Sequence, residues 1–215
     1  MYNIVFFDLD GTLTESAPGI TSSIAHVLDN WGIAYRDLEE LFVFVGPPLK
    51  DAIRDYYHMT DEKATEFVKE FRAYYSEKGL FNSAVYPGVK ELLGRIKDSG
   101  RKIMLATSKP EEMAKRVLDY FELTEYFDEI AGATFDNSRV NKEDVIKYLL
   151  DKLPDSEKDL SQIVMVGDRK HDVLGAKAVG MDCIGALYGY GTREELENAG
   201  AKYIAEVAGD VYDFL

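Results

Sequence analysis

Near the start of the chain the apolar run Ile4-Val5-Phe6-Phe7 ends abruptly in Asp8-Leu9-Asp10-Gly11, and this junction constrains the fold more than any other feature. An apolar run without alternation is a strand buried on both faces, which places it in the middle of a parallel sheet covered by helices. Runs of the same kind recur at 102–108, 162–168 and 182–187, with a weaker one at 129–134. Helical patterns separate them: Pro110 to Phe121, Asn141 to Leu153 and Asp172 to Val179 read as crossover helices. Pro110 and Asn141 stand at favourable helix starts, and Gly180 is a stop signal. Strands alternating with helices predict an α/β fold with a doubly wound parallel sheet.

The stretch from Ser16 to Asn82 breaks that alternation. Ile20, Ile24, Leu28 and Trp31 fall on one helical face that Gly32 closes, and Pro48 to Tyr57 and Asp61 to Lys78 continue the helical pattern. Phe67, Phe71 and Tyr75 recur every fourth position in the last of these. The expected organisation is an α/β core from 1–15 and 83–215, split by an all-α insertion over 16–82. No repeat or low-complexity tract suggests a solenoid.

Composition narrows the partners. The 215 residues carry 25 Lys and Arg against 39 Asp and Glu, a net charge of −14, and 46% are hydrophobic. A chain of this size and apolar content builds a real core, which excludes disorder. Its acid excess argues against a nucleic-acid polymer, whose binding runs on clustered cations. Cys183 is the single cysteine, which removes an internal disulfide or a Cys-based zinc site and points to a reducing, cytoplasmic setting. No apolar run reaches the length of a membrane span, and the N-terminus does not read as a signal peptide.

Asp8 and Asp10 fall at the carboxyl end of the first strand, where open α/β sheets bind ligands. Two residues apart on an extended chain, they point to one side and can divide a task between nucleophile or metal ligand and proton carrier. An ordinary Asp-Gly turn is the alternative for so short a string. The longer string Asp8-Leu9-Asp10-Gly11-Thr12-Leu13-Thr14 is harder to dismiss, since its chance occurrence is on the order of 10⁻⁴ from average residue usage. It resembles the first motif of the haloacid dehalogenase-like phosphohydrolases. That resemblance implies a Rossmann-like core, a nucleophilic Asp8 that forms an aspartyl-phosphate, and an acid/base Asp10.

The family's other motifs follow in order. Thr107, at the end of the buried run Leu105-Ala106-Thr107-Ser108-Lys109-Pro110, fits the second, with Ser108 and Lys109 as further phosphate-binding candidates. A helix cap before Pro110 is its alternative role. Lys142, at the start of the helix Asn141-Lys142-Glu143-Asp144, is the candidate for the third motif, and Arg139 and Lys147 compete with it. The fourth is Val164-Met165-Val166-Gly167-Asp168-Arg169-Lys170-His171-Asp172, with Asp168 and Asp172 able to face inward and Asp172 otherwise a helix-start charge. Hard oxygen donors suit Mg²⁺. The resemblance implies side-chain ligation from Asp8 and Asp168, a backbone carbonyl from Asp10, and an orienting role for Asp172.

The position of the insertion, between the first and second motifs, implies a helical cap over the site, and caps that exclude water favour a small phosphorylated metabolite. Gly46 and Lys50, in Val45-Gly46-Pro47-Pro48-Leu49-Lys50, are the cap's candidate substrate contacts, with a solvated turn as the alternative. This loop and Tyr188-Gly189-Tyr190-Gly191-Thr192 resemble the phosphoglycolate phosphatase and bacterial 5′-nucleotidase branch. A phosphomutase and a non-hydrolytic phospho-acceptor module are the competing functions, and a monomer or weak homo-oligomer is expected. Gly189 and Gly191 lack a third glycine, so a dinucleotide fingerprint fails; His26, His58 and His171 are scattered; Thr192 and Glu195 read as a capping box.

Overall fold

The computed structural model describes residues 1–135 and 138–215. Its six-stranded sheet is built from β1 (Ile4–Phe7), β4 (Lys102–Pro110), β5 (Glu129–Ala133), β6 (Ile163–Gly167), β7 (Asp182–Ala186) and β8 (Tyr203–Ala205). The spatial order is β5-β4-β1-β6-β7-β8, and every neighbouring pair is parallel. The unbroken apolar run of β1 is therefore central, and the chain reverses its winding direction there. Alternate β1 side chains supply opposite faces. Val5 and Phe7 join the layer with α4 (Val89–Asp98) and α5 (Glu111–Tyr120), while Ile4 and Phe6 join α6 (Lys142–Lys152), α7 (Lys170–Val179) and α8 (Arg193–Ala199). Phe6 and Phe7 expose nothing, and each such burial contributes roughly 1.5–3 kcal/mol.

Between β1 and β4 lie α1 (Ala17–Trp31), a 3-10 segment (Glu40–Phe44), α2 (Leu49–Tyr56) and α3 (Asp61–Tyr74). Gly32 ends α1 in the left-handed conformation, as its position suggests. Two features of this stretch differ from expectation. The helix expected to run to Lys78 changes to a π turn over Tyr75–Gly79. Helical periodicity does not distinguish the two windings, because a π turn adds only one residue to a single turn. The two chain crossings between this stretch and the sheet pair as a short antiparallel ribbon, β2 (Thr14–Glu15) with β3 (Ala84–Val85).

Helix α4 carries a buried face, Val89, Leu92, Leu93 and Ile96, to which the sequence reading assigns no element. The same holds for β8. β4 runs past Ser108 to Pro110 through a register irregularity after Ala106, so α5 starts at Glu111. No helix among the described residues is long and apolar enough to cross a membrane.

Candidate active site

Asp8 follows the last residue of β1 and keeps its place in the sheet by donating its N–H to Val166 O at 2.9 Å. The chain then turns sharply: the N–H groups of Thr12, Leu13 and Thr14 all donate to Leu9 O. Gly11 has φ +84°, and a Cβ there would stand 2.2 Å from Asp168 Oδ2. The glycine is needed both for its left-handed backbone and for the approach of the buried carboxylate. We expect Gly11→Ala to lose at least about 2 kcal/mol and to lower Tm by roughly 5 °C in a thermal melt. An unchanged Tm would contradict this packing.

Three acids meet here. Asp8, Asp168 and Asp172 each offer a carboxylate oxygen within 4.8 Å of the others, and all are buried. Lys142, from the first turn of α6, is 4% exposed and enters between them. Its Nζ lies 2.8 Å from Asp8 Oδ1 and 2.9 Å from Asp172 Oδ1, and it donates to Ala106 O at 2.8 Å. Two ion pairs and one hydrogen bond thus surround the ammonium. Burial works against the Lys142 charge, but Asp172 and Asp8 outweigh it and hold the group above its usual range. Arg139 instead pairs with Glu111 and Lys147 with Glu143, so neither reaches the acids.

Asp172 combines both readings of its position. Its Oδ2 accepts from Arg169 N at 3.0 Å, a helix-start bond, while Oδ1 meets Lys142. Asp168 accepts from Tyr190 N at 2.9 Å and from Thr12 Oγ1 at 3.2 Å. Burial pushes the Asp8 carboxyl up to about 7 against the pull of Lys142, with Asp172 and Asp10 adding repulsion. Burial and then Asp172 and Asp8 push Asp168 well above the carboxylate range. Three carboxylates against one ammonium leave a formal charge of −2 in a dry place, which a divalent cation would offset. The oxygen-only donor set fits Mg²⁺.

The Asp10 carboxylate stands apart from that cluster. Lys109 Nζ lies 2.9 and 3.0 Å from its two oxygens and donates to Tyr75 Oη at 2.6 Å. The two acids of the Asp-x-Asp string thus face different lysines. Lys109, expected among the phosphate-binding residues, directs its ammonium at Asp10 and Tyr75. Burial opposes the Lys109 charge, and Asp10 and Tyr75 outweigh it.

Thr107 is 1% exposed and its Oγ1 accepts from Lys109 N at 3.2 Å, while the buried Ser108 Oγ has no partner. Ser108, Lys109 and Asp10 line a cavity of about 350 Å³ whose other wall belongs to the helical stretch, including Gly46, Lys50, Phe71 and Tyr75. Lys50, the cap's candidate substrate contact, lines this cavity and pairs with Asp61 at 2.7 Å. Gly46 passes over Arg169, where a Cβ would stand 2.9 Å from Arg169 Cγ. Arg169 Nη1 donates to Val45 O at 2.7 Å and Nε pairs with Glu195 Oε1 at 3.0 Å.

Three residues carry roles that the sequence reading missed. Gly189 packs on the acid cluster, where a Cβ would stand 2.2 Å from Gly11 O and 2.3 Å from Asp168 Cβ. Tyr190 supplies the N–H to Asp168 and accepts from Ala17 N at 2.8 Å through its hydroxyl. Arg169 ties the fourth motif to the Val45–Gly46 loop. The glycine spacing was visible, but its purpose depends on a neighbour distant in sequence. The Thr192 hydroxyl accepts from Glu195 N at 3.1 Å, but the Glu195 carboxylate turns to Arg169 and Lys170 N, so the capping box is only half formed.

A lysine-braced cluster of buried carboxylates thus stands at the carboxyl edge of a doubly wound sheet, beside a cavity roofed by helices. Residues 5–186 match the family described as haloacid dehalogenase-like hydrolase, and the chain belongs to that family. A 5′-nucleotidase of Pseudomonas aeruginosa is 36% identical over 96% of this chain and 93% of its own length. The tyrosine-protein kinase PtkA of Mycobacterium tuberculosis is 37% identical over 95% of this chain and 69% of its own length. The crystal structure of a predicted phosphatase from Clostridium acetobutylicum is 42% identical with a TM-score of 0.94, covering 100% of this chain and 98% of the other. The chain is thus an enzyme of this hydrolase family, of its phosphatase kind.

Proposed function

We propose that this protein is a Mg²⁺-dependent phosphatase that hydrolyses a small phosphate monoester through an aspartyl-phosphate. The observation that carries the reading is Lys142 bridging Asp8 and Asp172 beside Asp168, with Asp10 held separately by Lys109. Asp8 attacks phosphorus, and the ester oxygen leaves with a proton from Asp10. Asp10 then takes a proton from water, whose oxygen attacks the same phosphorus and frees Asp8 and inorganic phosphate. Lys142, the Thr107 hydroxyl and Ser108 stabilise the transferring charge. Asp8, Asp168, Asp172 and the Asp10 carbonyl are the residues that would hold Mg²⁺, which supplies charge neutralisation when bound. Residues 16–82 act as the cap on a core of 1–15 and 83–215.

Phosphate release from 2-phosphoglycolate, nucleoside 5′-monophosphates, sugar phosphates and p-nitrophenyl phosphate in Mg²⁺ tests this reading. No release from any of them would overturn it. Chelation of divalent metal should lower kcat at least about 10³-fold and be reversed by added Mg²⁺, because the formal charge of the acid cluster then repels the phosphate. Undiminished turnover in chelator would remove the metal from the reading. The relative named as a tyrosine-protein kinase gives the phosphotransfer alternative a specific motive. Isotope from labelled water appearing in phosphate separates hydrolysis from transfer to a second acceptor. The single, buried Cys183 supports a cytoplasmic setting.

A further inference from the structure

One face of α3 and the π turn that follows it lines the cavity with Val68, Phe71, Arg72 and Tyr75, the spacing of residues that share a helix side. The ionised side chains that line this cavity are Asp10, Lys50, Asp51, Arg72 and Lys109. Asp10 pairs with Lys109 at 2.9 Å, Lys50 with Asp61 at 2.7 Å, and Asp51 with Arg54 at 2.8 Å. Arg72 has no carboxylate partner among the described residues and touches the Phe135 ring, its guanidinium carbon 5.1 Å from the centroid. Its charge is half-buried, and burial alone lowers its basicity without any acid to oppose that. The same cavity has an apolar lining that includes Ile20, Phe44, Val68 and Met113. Among the described residues, Arg72 is therefore the one cation lining this cavity that has no carboxylate partner.

Arg72 lines the same cavity as Tyr75, Lys109 and Asp10. Positions three apart on a helix are neighbours, about 5–6 Å between Cβ atoms, so Arg72 lies one turn from Tyr75. Tyr75 touches Lys109, and Lys109 holds Asp10. A guanidinium is suited to a planar anion, which it binds through two parallel N–H donors.

Resting on the phosphatase reading, we propose that Arg72 selects the substrate: a compact phosphate ester whose alcohol carries a second anionic group, carboxylate or phosphate, that Arg72 receives. Esters with a neutral tail leave the guanidinium unanswered and are disfavoured.

The test compares kcat/KM for matched esters: 2-phosphoglycolate against 2-hydroxyethyl phosphate for the carboxylate, and ethane-1,2-diol bisphosphate against the same neutral ester for the phosphate. The wild-type protein should prefer at least one anionic ester by about 10- to 100-fold, the range of a charge-assisted hydrogen bond. The favoured arm names the group. Arg72→Gln should bring that ratio close to one, and Arg72→Lys should keep part of it, since the point charge remains but the fork is lost. A wild-type ratio near one, or a ratio unmoved by Arg72→Gln, overturns the proposal. Should Arg72→Gln fold poorly, the Arg72→Lys ratio decides between the same outcomes.

A second readout does not need turnover. Calorimetric binding of 2-phosphoglycolate and 2-hydroxyethyl phosphate to Asp8→Asn, with and without Arg72→Gln, should show the same selectivity and its loss. Selective binding without hydrolysis by the wild-type protein sinks the phosphatase reading and keeps Arg72 as the anion receiver. Hydrolysis without selectivity does the reverse.

Discussion

Asp8→Asn should lower phosphate release by about 10⁵-fold while the protein stays folded, since removing a nucleophile whose attack carries the reaction leaves only binding and charge stabilisation. Asparagine matches aspartate in shape, so the buried volume at the end of β1 is kept. Its amide also removes one negative charge from a place where Asp8, Asp168 and Asp172 crowd around one lysine. Burial already holds the Asp8 carboxyl near 7, far above an exposed carboxylate, so the charge replaced was poorly tolerated. Lys142 keeps Asp172 and Ala106 O as partners. The metal-free Tm should therefore stay within about 3 °C of wild type, or about 1 kcal/mol. The gain in Tm on adding Mg²⁺ should shrink, because one carboxylate ligand is gone. Near wild-type hydrolysis of p-nitrophenyl phosphate by this variant would remove Asp8 as nucleophile.

The sheet was legible because β1, β4, β6 and β7 are buried on both faces and so consist of unbroken apolar residues. Position along such strands also located the acids, since Asp8 and Asp168 stand where apolar runs stop. What escaped has a physical reason in each case. The β2–β3 ribbon is two residues per strand, too short for alternation, and it exists because two distant crossings lie side by side. The spacing of Asp8 and Asp10 suggests two tasks for the pair, but it does not indicate which lysine each of them faces. Lys109 turns to Asp10 because Tyr75, contributed by the π turn, completes its shell. The Lys50 pairing with Asp61, at the start of α3, joins two segments that no local sequence signal connects. Nothing in the sequence marks Arg72, because a lone arginine in an amphipathic helix usually lies in solvent. Only the pairing of every other charge around the cavity singles it out.

Lys142 was the least specific of the family-motif residues in sequence and is the most constrained in the structure. Gly175 of α7 packs against its stem, where a Cβ would stand 2.8 Å from Lys142 Cγ, so two helices close over the side chain. Lys142→Met keeps that stem and removes the charge. Asp8 and Asp172 then lose their cation, and Ala106 O loses a donor. Breaking a buried ion pair from one side costs about 3–5 kcal/mol, which lowers Tm by roughly 10 °C in a chain of this length. The loss depends on pH with a definite sign. Lys142 pulls the Asp8 carboxyl down, so its removal raises a folded-state pKa that already stands near 7. A raised folded-state pKa gives stability that is complete below the unfolded value and disappears as pH climbs through the folded one. The gap in Tm between wild type and Lys142→Met should therefore be smaller at pH 5, where the acids can protonate, and grow toward pH 8. Mg²⁺ should narrow the gap at pH 8 by replacing the missing positive charge among the same carboxylates, yet leave turnover depressed at least about 10³-fold because the donor proposed to stabilise the transferring phosphoryl group is gone. Thermal melts of both proteins across that range, with and without Mg²⁺, separate this from a packing defect, which would lower Tm equally at every pH.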